Sequence, residues 1–323
     1  MLKQKVFLVG ATGETGGSIL QALDEDGSFE ITCFIRTASA GKPSVQHLKD
    51  KGLKVVHGDL TDPPEKLAGL LKDIDTVILT IFAFDVGIEA NIIQAASMAA
   101  VKRFVLCDFG TPCPRGIMPL RDRKEAVHDL MFAQKLGFTI IDVGYWYEIS
   151  FPRVPSGKFD YAAVIARNQV VEGGTAPNML IAKKDIGGIT VEIIKDERTL
   201  NKKVFVCGDV LNQNEITAII EEKTGEKLDL TTESAEYVRR ALAETKKAAE
   251  GDPTNLPNKY RLSNASYNFS KYIRGDNTPE NAEYPGYIDG RKLYPNFVFQ
   301  KFSEFVDDLA AGKVARVYPH LTL

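Results

Sequence analysis

The stretch KVFLVGATGETGGSIL at residues 5–20 joins a short apolar run to a helix-like run through three glycines. Residues 6–9 are apolar without alternation, as expected of a parallel strand that is covered on both faces. Gly10 permits a tight turn, Gly13 lets backbone N–H groups approach a pyrophosphate, and Gly16 lets the helix pack closely on the strand. The positive end of the helix dipole then points at the phosphates. Because the motif opens a long α/β pattern, it predicts a dinucleotide site rather than an ordinary strand, turn and helix.

The end of the second predicted strand, residues 29–35, indicates which dinucleotide is bound. Arg36 and Thr37 stand where an NAD-specific site usually has an acidic residue for the ribose 2′-OH. A guanidinium suits a 2′-phosphate because it is a permanently charged, planar fork of donors, and Lys42 could add a second charge. The sequence therefore predicts NADP(H), the alternative being that Arg36 is a solvated residue at the end of a strand.

The composition is that of a compact enzyme without a nucleic-acid or membrane partner. The chain has 323 residues, of which 44% are hydrophobic and 26% charged, and its net charge is −3. No apolar run approaches the roughly 18 residues of a membrane span, and the first strand begins too early to leave room for a signal peptide. Four cysteines lack zinc-ligand spacing, so we expect no metal site and a reducing, cytoplasmic location.

Strands and helices alternate along the first half of the chain, which predicts a Rossmann-type doubly wound parallel sheet of the α/β class. The predicted strands cover residues 6–9, 29–35, 53–57, 76–81, 103–107 and 138–143, and the predicted helices that follow the second to fifth strands cover residues 45–51, 64–71, 86–100 and 124–136. We expect residues 1–149 to form the NADP(H)-binding domain. Residues 150–323 are expected to form a smaller α+β substrate lobe that exchanges segments with it. Within this lobe we predict a strand at residues 203–207 and helices at 213–224, 234–250 and 296–311.

Ligands of such sheets bind beyond the carboxyl ends of the strands. Besides the glycines, Arg36, Thr37 and Lys42, the residues predicted to contact the cofactor are therefore Thr12, Glu14, Thr15, Asp59, Leu60, Thr80, Ile81, Phe82, Asp108, Phe109 and Lys124.

Several motifs resemble the NmrA-like and isoflavone-reductase-like branch of the atypical short-chain dehydrogenase/reductases. They are GATGETGG, the pair Arg36-Thr37, GDLTD at residues 58–62, VKRFVLCDFG at 101–110, KKDIGGITVEIIKDERTLNKKVFVCGD at 183–209, NEI at 214–216 and KTGEKL at 223–228. GYWYEISFPRVPSGKFDY at residues 144–161 is similar to fungal members of secondary metabolism. The resemblance implies an NADPH-dependent reductase of an aromatic or conjugated small molecule.

The same resemblance implies a catalytic lysine on the helix after the fifth strand. Lys124 with Val127, in RDRKEAVHDL, fits that setting, although two more residues precede Gly137 than is usual in the family. His128 lies four residues on, on the same helical face, and could supplement or replace the lysine. A solvated lysine and a packed histidine are the alternatives. A Tyr-x-x-x-Lys motif, the catalytic pattern of ordinary short-chain dehydrogenases, occurs only at Tyr267 to Lys271, where we expect it to be coincidental.

Aromatic residues at the carboxyl edge could form the wall of a substrate site. Phe109, Tyr145, Trp146 and Tyr147 are the candidates, with plain core packing as the alternative for each. Two other functions stay open for the chain, which is expected to be a monomer or a homodimer. One is a non-catalytic NADP(H)-sensing regulator of the NmrA type. The other is an NADP(H)-assisted rearrangement or cyclisation.

Overall fold

A sheet of eight strands, all paired in parallel, forms the centre of the protein in a computed structural model that describes residues 3–164 and 168–319. The strands of the described residues are β1 (Gln4–Val9), β2 (Phe29–Arg36), β3 (Lys54–Gly58), β4 (Thr76–Leu79), β5 (Arg103–Cys107), β6 (Phe138–Asp142), β7 (Tyr145–Trp146), β8 (Gln169–Val171), β9 (Asn178–Ile181), β10 (Lys202–Phe205), β11 (Asp209–Leu211), β12 (Thr231–Glu233) and β13 (Ile288–Asp289). The order in the large sheet is β13-β10-β6-β5-β4-β1-β2-β3. The predicted α/β class and doubly wound sheet are confirmed.

The described residues form twelve α-helices, of which the first six cover the two faces of this sheet. They are α1 (Glu14–Asp26), α2 (Pro43–Asp50), α3 (Pro64–Leu70), α4 (Ala90–Met98), α5 (Pro119–Ala133), α6 (Lys183–Lys195), α7 (Gln213–Thr224), α8 (Ala235–Gly251), α9 (Leu256–Asn268), α10 (Pro279–Glu283), α11 (Gly290–Leu293) and α12 (Phe302–Ala310). Val6 and Leu8 of β1 pack in one apolar cluster with α1, α2 and α6, whereas Phe7 and Val9 pack in a second with α3, α4 and α5. This division explains the unalternating apolar strands, because each successive side chain enters a different buried layer.

The second part of the chain contributes to the same sheet and also builds structure of its own. β10 and β13 extend the large sheet, and α6 packs along α1. β11, β9 and β7 form a three-stranded sheet, and α7 packs on α12 around a separate apolar cluster. α8 and α9 form a helical hairpin, which a π-helix at Phe269–Arg274 continues. The division into residues 1–149 and 150–323 stays a prediction.

Three predicted helix boundaries are wrong. The helix expected at residues 86–100 spans Ala90–Met98, after a turn in which Gly87 has a φ of +119°. The helix expected at 124–136 spans Pro119–Ala133, because a proline in its first turn allows an earlier start and places Lys124 in the second turn. The closing helix expected at 296–311 spans Phe302–Ala310, since Glu304 caps its first turn through the backbone N–H of Lys301.

Some elements follow the prediction closely and others escaped it. α7 has the predicted bounds and a capping box between Asn212 and Glu215. The fourth strand ends two residues early, at Leu79, and the strand expected at 203–207 spans Lys202–Phe205. α6 and α9 were not predicted as helices. Across residues 3–164 and 168–319, no helix has the length and apolar character needed to cross a membrane, and no group of side chains is suited to hold a metal ion.

Candidate functional site at the carboxyl edge of the sheet

The loop between β1 and α1 has the geometry that the glycine motif predicts. Gly10 has a φ of +87°, and a Cβ there would lie 1.9 Å from the Thr80 carbonyl oxygen. A Cβ on Gly16 would lie 2.0 Å from the Gly10 carbonyl oxygen, so both glycines are needed for the close packing of the loop. Gly13 is exposed, and a Cβ there would have one neighbour within 4 Å, the Gly10 carbonyl oxygen at 3.2 Å. The loop thus leaves its Gly13 side open to a ligand.

The first turn of α1 is suited to an anion. Gly13 precedes the helix in extended conformation, and no side chain caps the helix amino terminus. The N–H groups of this turn and the helix dipole therefore suit a pyrophosphate group. Thr12 is exposed and Thr15 is half-buried beside them. This cradle fits the dinucleotide expected from the sequence.

Glu14, predicted to contact the cofactor, is held by two other parts of the chain. Its carboxylate accepts hydrogen bonds from the Lys183 ammonium at 2.6 Å and from the backbone N–H of Tyr318 at 2.9 Å. The Tyr318 ring stacks on Trp146, with ring centroids 5.9 Å apart, and also contacts Phe82 at 6.2 Å. The last described segment of the chain is thus held against Glu14 at the start of α1. Nothing in the sequence around Tyr318 indicated this contact.

Arg36 lies at the end of β2 with its side chain exposed, which fits both a contact with a 2′-phosphate and the alternative of a solvated residue. Thr37 is exposed in a turn of 3₁₀-helix, and Lys42 is exposed just before α2. Asp59 is half-buried after β3, and its backbone N–H donates to the Asp62 carboxylate at 2.9 Å. These side chains lie beyond the carboxyl ends of β2 and β3, on the side where the adenosine half of a dinucleotide is expected.

The predicted cofactor residues that follow β3 and β4 differ in their burial and in what they contact. Leu60 is buried in the apolar cluster. The Thr80 hydroxyl donates to the Val9 carbonyl oxygen at 2.7 Å and lies beneath Gly10, which favours a supporting role in the loop. Ile81 and Phe82 are half-buried at the same edge.

Lys124 and His128 both meet Asp108, the residue that follows β5. The Lys124 ammonium lies 3.8 Å from Asp108 Oδ1 and is 13% exposed. His128 is fully buried, and its Nε2 lies 2.8 Å from Asp108 Oδ2. His128 Nδ1 lies 3.3 Å from a Glu125 carboxylate oxygen, close enough for the two charges to attract each other when the imidazole is protonated. One carboxylate therefore joins the partly buried lysine to a histidine that solvent does not reach.

Charge determines the protonation of this cluster. Burial favours the neutral form of Asp108, but the charges of His128 and Lys124 hold the pKa of this carboxyl well below its usual range. Burial opposes the charge of His128 as well, yet Asp108 and Glu125 raise the pKa of the imidazole to about 9. Against its own burial, Glu125 has its pKa lowered to about 2 by His128 and Arg121. At neutral pH Asp108 and Glu125 are therefore carboxylates and His128 is an imidazolium.

Arg121 connects the cluster to the second part of the chain. Its buried guanidinium donates to Asp142 Oδ2 at 2.7 Å and to Glu125 Oε1 at 2.6 Å, and also to the Tyr287 hydroxyl. Asp142 in turn accepts from the backbone N–H of Gly110 at 3.0 Å. These bonds fix the turn that carries Asp108 and Phe109, and Phe109 has a φ of +44° in that turn. Sequence reasoning missed Arg121, although an arginine three residues before the candidate lysine was a visible signal.

The four aromatic candidates divide between the edge and the core. Trp146 meets Tyr318 as described, and Phe109 is half-buried in the same apolar cluster. Tyr145 is buried and contacts the ring of Tyr267 at 5.3 Å. Tyr147 is fully buried, and its hydroxyl donates to Asp209 at 2.8 Å. This contact favours the packing role for Tyr147.

The Tyr-x-x-x-Lys motif lies beside the candidate substrate wall rather than away from it. The Lys271 ammonium is buried and lies 3.4 Å from the centroid of the Tyr145 ring. Tyr267 and Lys271 flank the start of the π-helix, a local distortion that is frequent at functional sites. The motif was visible in the sequence, but its distance along the chain from the predicted site hid this contact.

Comparison with known proteins supports the relationship that the motifs suggested. The NmrA-like family matches residues 2–138. The chain is 36% identical over 312 residues to the asnovolin J 5′,6′-dehydrogenase nvfM of Aspergillus novofumigatus, with 95% of each chain covered. It is 26% identical to an isoflavone reductase-like protein of Olea europaea, with 94% of this chain and 98% of that one covered. A phenylcoumaran benzylic ether reductase of Ginkgo biloba is 25% identical, with 95% and 99% covered.

Solved structures share the fold. The binary complex of leucoanthocyanidin reductase with NADPH from Vitis vinifera superposes with a TM-score of 0.79 at 23% identity, covering 95% of this chain and 99% of that one. A crystal structure of isoflavone reductase gives a TM-score of 0.76 at 24% identity, with the same coverage. The fold described above is therefore shared with these two structures.

Proposed function

Because the chain belongs to the NmrA-like family, which includes the isoflavone-reductase-like proteins, we propose that it is an NADPH-dependent reductase of an aromatic or conjugated small molecule. The observation that most directly supports this proposal is that one edge of the sheet presents an open glycine loop, an exposed Arg36 and Lys124 beside the buried carboxylate of Asp108. The reductase names of several relatives and the NADPH complex of a structural neighbour support this reading. A place in secondary metabolism in the cytoplasm is part of the proposal.

The dinucleotide would be held by residues at the carboxyl ends of β1 and β2. The first turn of α1 would bind the pyrophosphate, with Gly13 leaving room for its approach. Arg36 would pair with the 2′-phosphate, and Thr37 and Lys42 would complete that end. When bound, NADPH supplies a hydride from its nicotinamide ring, and the chain supplies orientation and electrostatics.

Lys124 is the residue that we propose for the chemical step. As hydride reaches an electron-poor carbon of a conjugated substrate, negative charge develops on the conjugated oxygen. The Lys124 ammonium stabilises that charge and donates a proton to the oxygen or to an adjacent carbon. Its contact with Asp108 fixes the position of the ammonium at the edge of the sheet. A proton from solvent then restores the ammonium, since the side chain is partly exposed.

His128 is proposed to position this group rather than to touch the substrate. It is fully buried behind Asp108, so that it reaches the reacting atoms only through the carboxylate. The 36% identical relative is named a dehydrogenase, and the same residues would serve hydride transfer in the opposite direction. We propose reduction because the isoflavone reductase-like protein and the phenylcoumaran benzylic ether reductase among the relatives carry reductase names.

The proposal is tested with Lys124→Ala and NADPH that carries deuterium at both C4 positions. Wild-type protein is screened on aromatic enones and quinone methides, and the product is examined by mass spectrometry. We expect one deuterium in the product, and a loss of kcat of about 100-fold or more in the variant while NADPH affinity is unchanged, because general acid catalysis typically contributes 10²–10⁴-fold.

Lys102→Ala is the matched control. Lys102 pairs with Asp75 at the opposite edge of the sheet and is 78% exposed, so its loss is expected to leave kcat unchanged. Equal kcat in the Lys124→Ala and wild-type proteins would remove Lys124 from the mechanism. A product without deuterium would contradict hydride transfer.

A further inference from the structure

A cavity of about 470 Å³ lies between the start of α5 and the hairpin of α8 and α9. Its volume is within the range of small-molecule sites, which is roughly 300–1,000 Å³. The side chains and backbone that line it belong to Phe84, Met118, Pro119, Leu120, Arg123, Lys246, Ala249, Glu250, Pro253, Lys259, Leu262, Ser263, Ser266 and Tyr267. None of the comparisons assigns a ligand to it.

The cavity adjoins the proposed reductase site. Tyr267 lines it and also packs against the ring of Tyr145. Arg123 lines it and directly precedes Lys124 on α5. Lys124 itself does not line the cavity, so the inference below concerns a ligand bound next to the proposed reductase site and not the reaction itself.

Most of the lining is apolar. Phe84, Met118, Leu120 and Leu262 contribute aromatic and aliphatic surface, and the Phe84 ring is fixed edge-on against Tyr260 at 4.7 Å. Burying a ligand against such walls is favoured by about 25 cal/mol for each Å² of apolar surface removed from water. This part of the cavity suits a ring system.

The charged part of the lining is strongly positive. The lining contains three cations, Arg123, Lys246 and Lys259, and one carboxylate, that of Glu250, although the whole chain carries a net charge of −3. Within the described ranges 3–164 and 168–319, none of these three cations has a carboxylate within 4 Å. Unpaired cations that surround an apolar cavity favour an anionic ligand over a neutral one.

Arg123 shows where the anion would bind. Its Nε is buried without a hydrogen-bond partner among the described residues, and its Nη2 makes one long contact of 3.4 Å with the Ala83 carbonyl oxygen. A buried donor without a partner is unfavourable by about 1–3 kcal/mol, which a bound acceptor would relieve. A carboxylate matches the guanidinium best, because its two oxygens accept two parallel N–H bonds.

We propose that this cavity binds a ring compound bearing a carboxylate. The ring system lies against Phe84, Leu262 and Tyr267, and the carboxylate is held by Arg123 with Lys246 and Lys259 around it. Arg123 then determines specificity, since a neutral analogue would leave its guanidinium unpaired.

The test is calorimetric titration of the nucleotide-free protein with 2-naphthoate and with its methyl ester, at low salt and pH 7. We expect the acid to bind at least tenfold more tightly than the ester. Arg123→Met is expected to weaken binding of the acid by tenfold or more and binding of the ester by less than twofold. Arg115→Met is the matched control, because Arg115 is 50% exposed, pairs with Asp129 and does not line the cavity.

Equal binding of acid and ester, or no binding of either, would overturn the assignment. Equal weakening of acid and ester binding by Arg123→Met would also overturn it. Lys259→Met repeats the comparison of acid and ester at a second cation of the cavity. Because these titrations contain no nucleotide, their failure is separate from that of the proposed function. The wild-type protein can fail to bind NADPH and still discriminate acid from ester, or the reverse.

Discussion

Replacing His128 by Phe tests whether the buried imidazolium stabilises the Asp108 cluster. The aromatic ring is kept at a fully buried position, while the charge between Asp108 and Glu125 is lost. The rise of the His128 pKa from its ordinary value of 6.5 to about 9 corresponds to about 3 kcal/mol of stability. Because the pKa is raised in the folded protein, this stability is fully present below pH 6.5 and is lost as the pH rises through 9.

The assay is urea unfolding at pH 6.5, 7.5, 8.5 and 9.5, followed through the fluorescence of Trp146, the one tryptophan of the chain. We expect the wild type to exceed the variant by about 3 kcal/mol more at pH 6.5 than at pH 9.5, with any packing difference independent of pH. His47→Phe is the control, since His47 is exposed on α2, and it is expected to add no such slope. A constant difference between wild type and His128→Phe at all four pH values would refute the reasoning.

Three further predictions concern the cofactor loop, the 2′-phosphate site and a buried acid. Arg36→Asp is expected to weaken NADPH binding by 10- to 100-fold, which corresponds to the roughly 1.5–3 kcal/mol of a hydrogen bond to a charged group. The same substitution is expected to weaken NADH binding by less than threefold, and Lys49→Asp on α2 is the control. Equal losses of affinity for both nucleotides in a fluorescence titration would contradict the assignment. Gly10→Ala places a Cβ 1.9 Å from the Thr80 carbonyl oxygen at a residue whose φ is +87°. It should therefore abolish NADPH binding and lower the free energy of unfolding by more than about 2 kcal/mol. Gly17→Ala is the control, because its Cβ would have its nearest neighbour at 3.8 Å, and it should change the free energy of unfolding by less than about 1 kcal/mol. Burial raises the pKa of Glu148 to about 7, so that its favourable contribution to the stability of the fold is present below pH 4.5 and is lost as the pH rises through 7. Glu148→Gln should therefore raise Tm relative to wild type more at pH 8 than at pH 5. An equal change in Tm at both pH values would count against this prediction.

The sequence predicted features that depend on local chemistry. The glycine loop was predictable because Gly10 and Gly16 are required by backbone contacts within a few residues of a strand end. The shared helical face of Lys124 and His128 was predictable from a spacing of four residues. The two residues that lengthen the distance from Lys124 to Gly137 do not prevent the lysine from reaching Asp108.

Features that join distant parts of the chain were not predictable in this way. The contact of Tyr318 with Glu14 spans 304 residues, and that of Arg121 with Tyr287 spans 166. Hydrophobic periodicity contains no information on such pairs, because it reports only which face of an element is buried. The cation of Lys271 above the Tyr145 ring was missed for the same reason, although both residues were noted in the sequence.

The measurement that tests the account most directly is the titration of purified protein with NADPH and with NADH, followed by nicotinamide fluorescence. The open glycine loop and Arg36 predict saturable NADPH binding at least tenfold tighter than NADH binding, and Lys124→Ala should retain it. Failure of both nucleotides to bind would contradict the assignment of the loop and with it the proposed reductase.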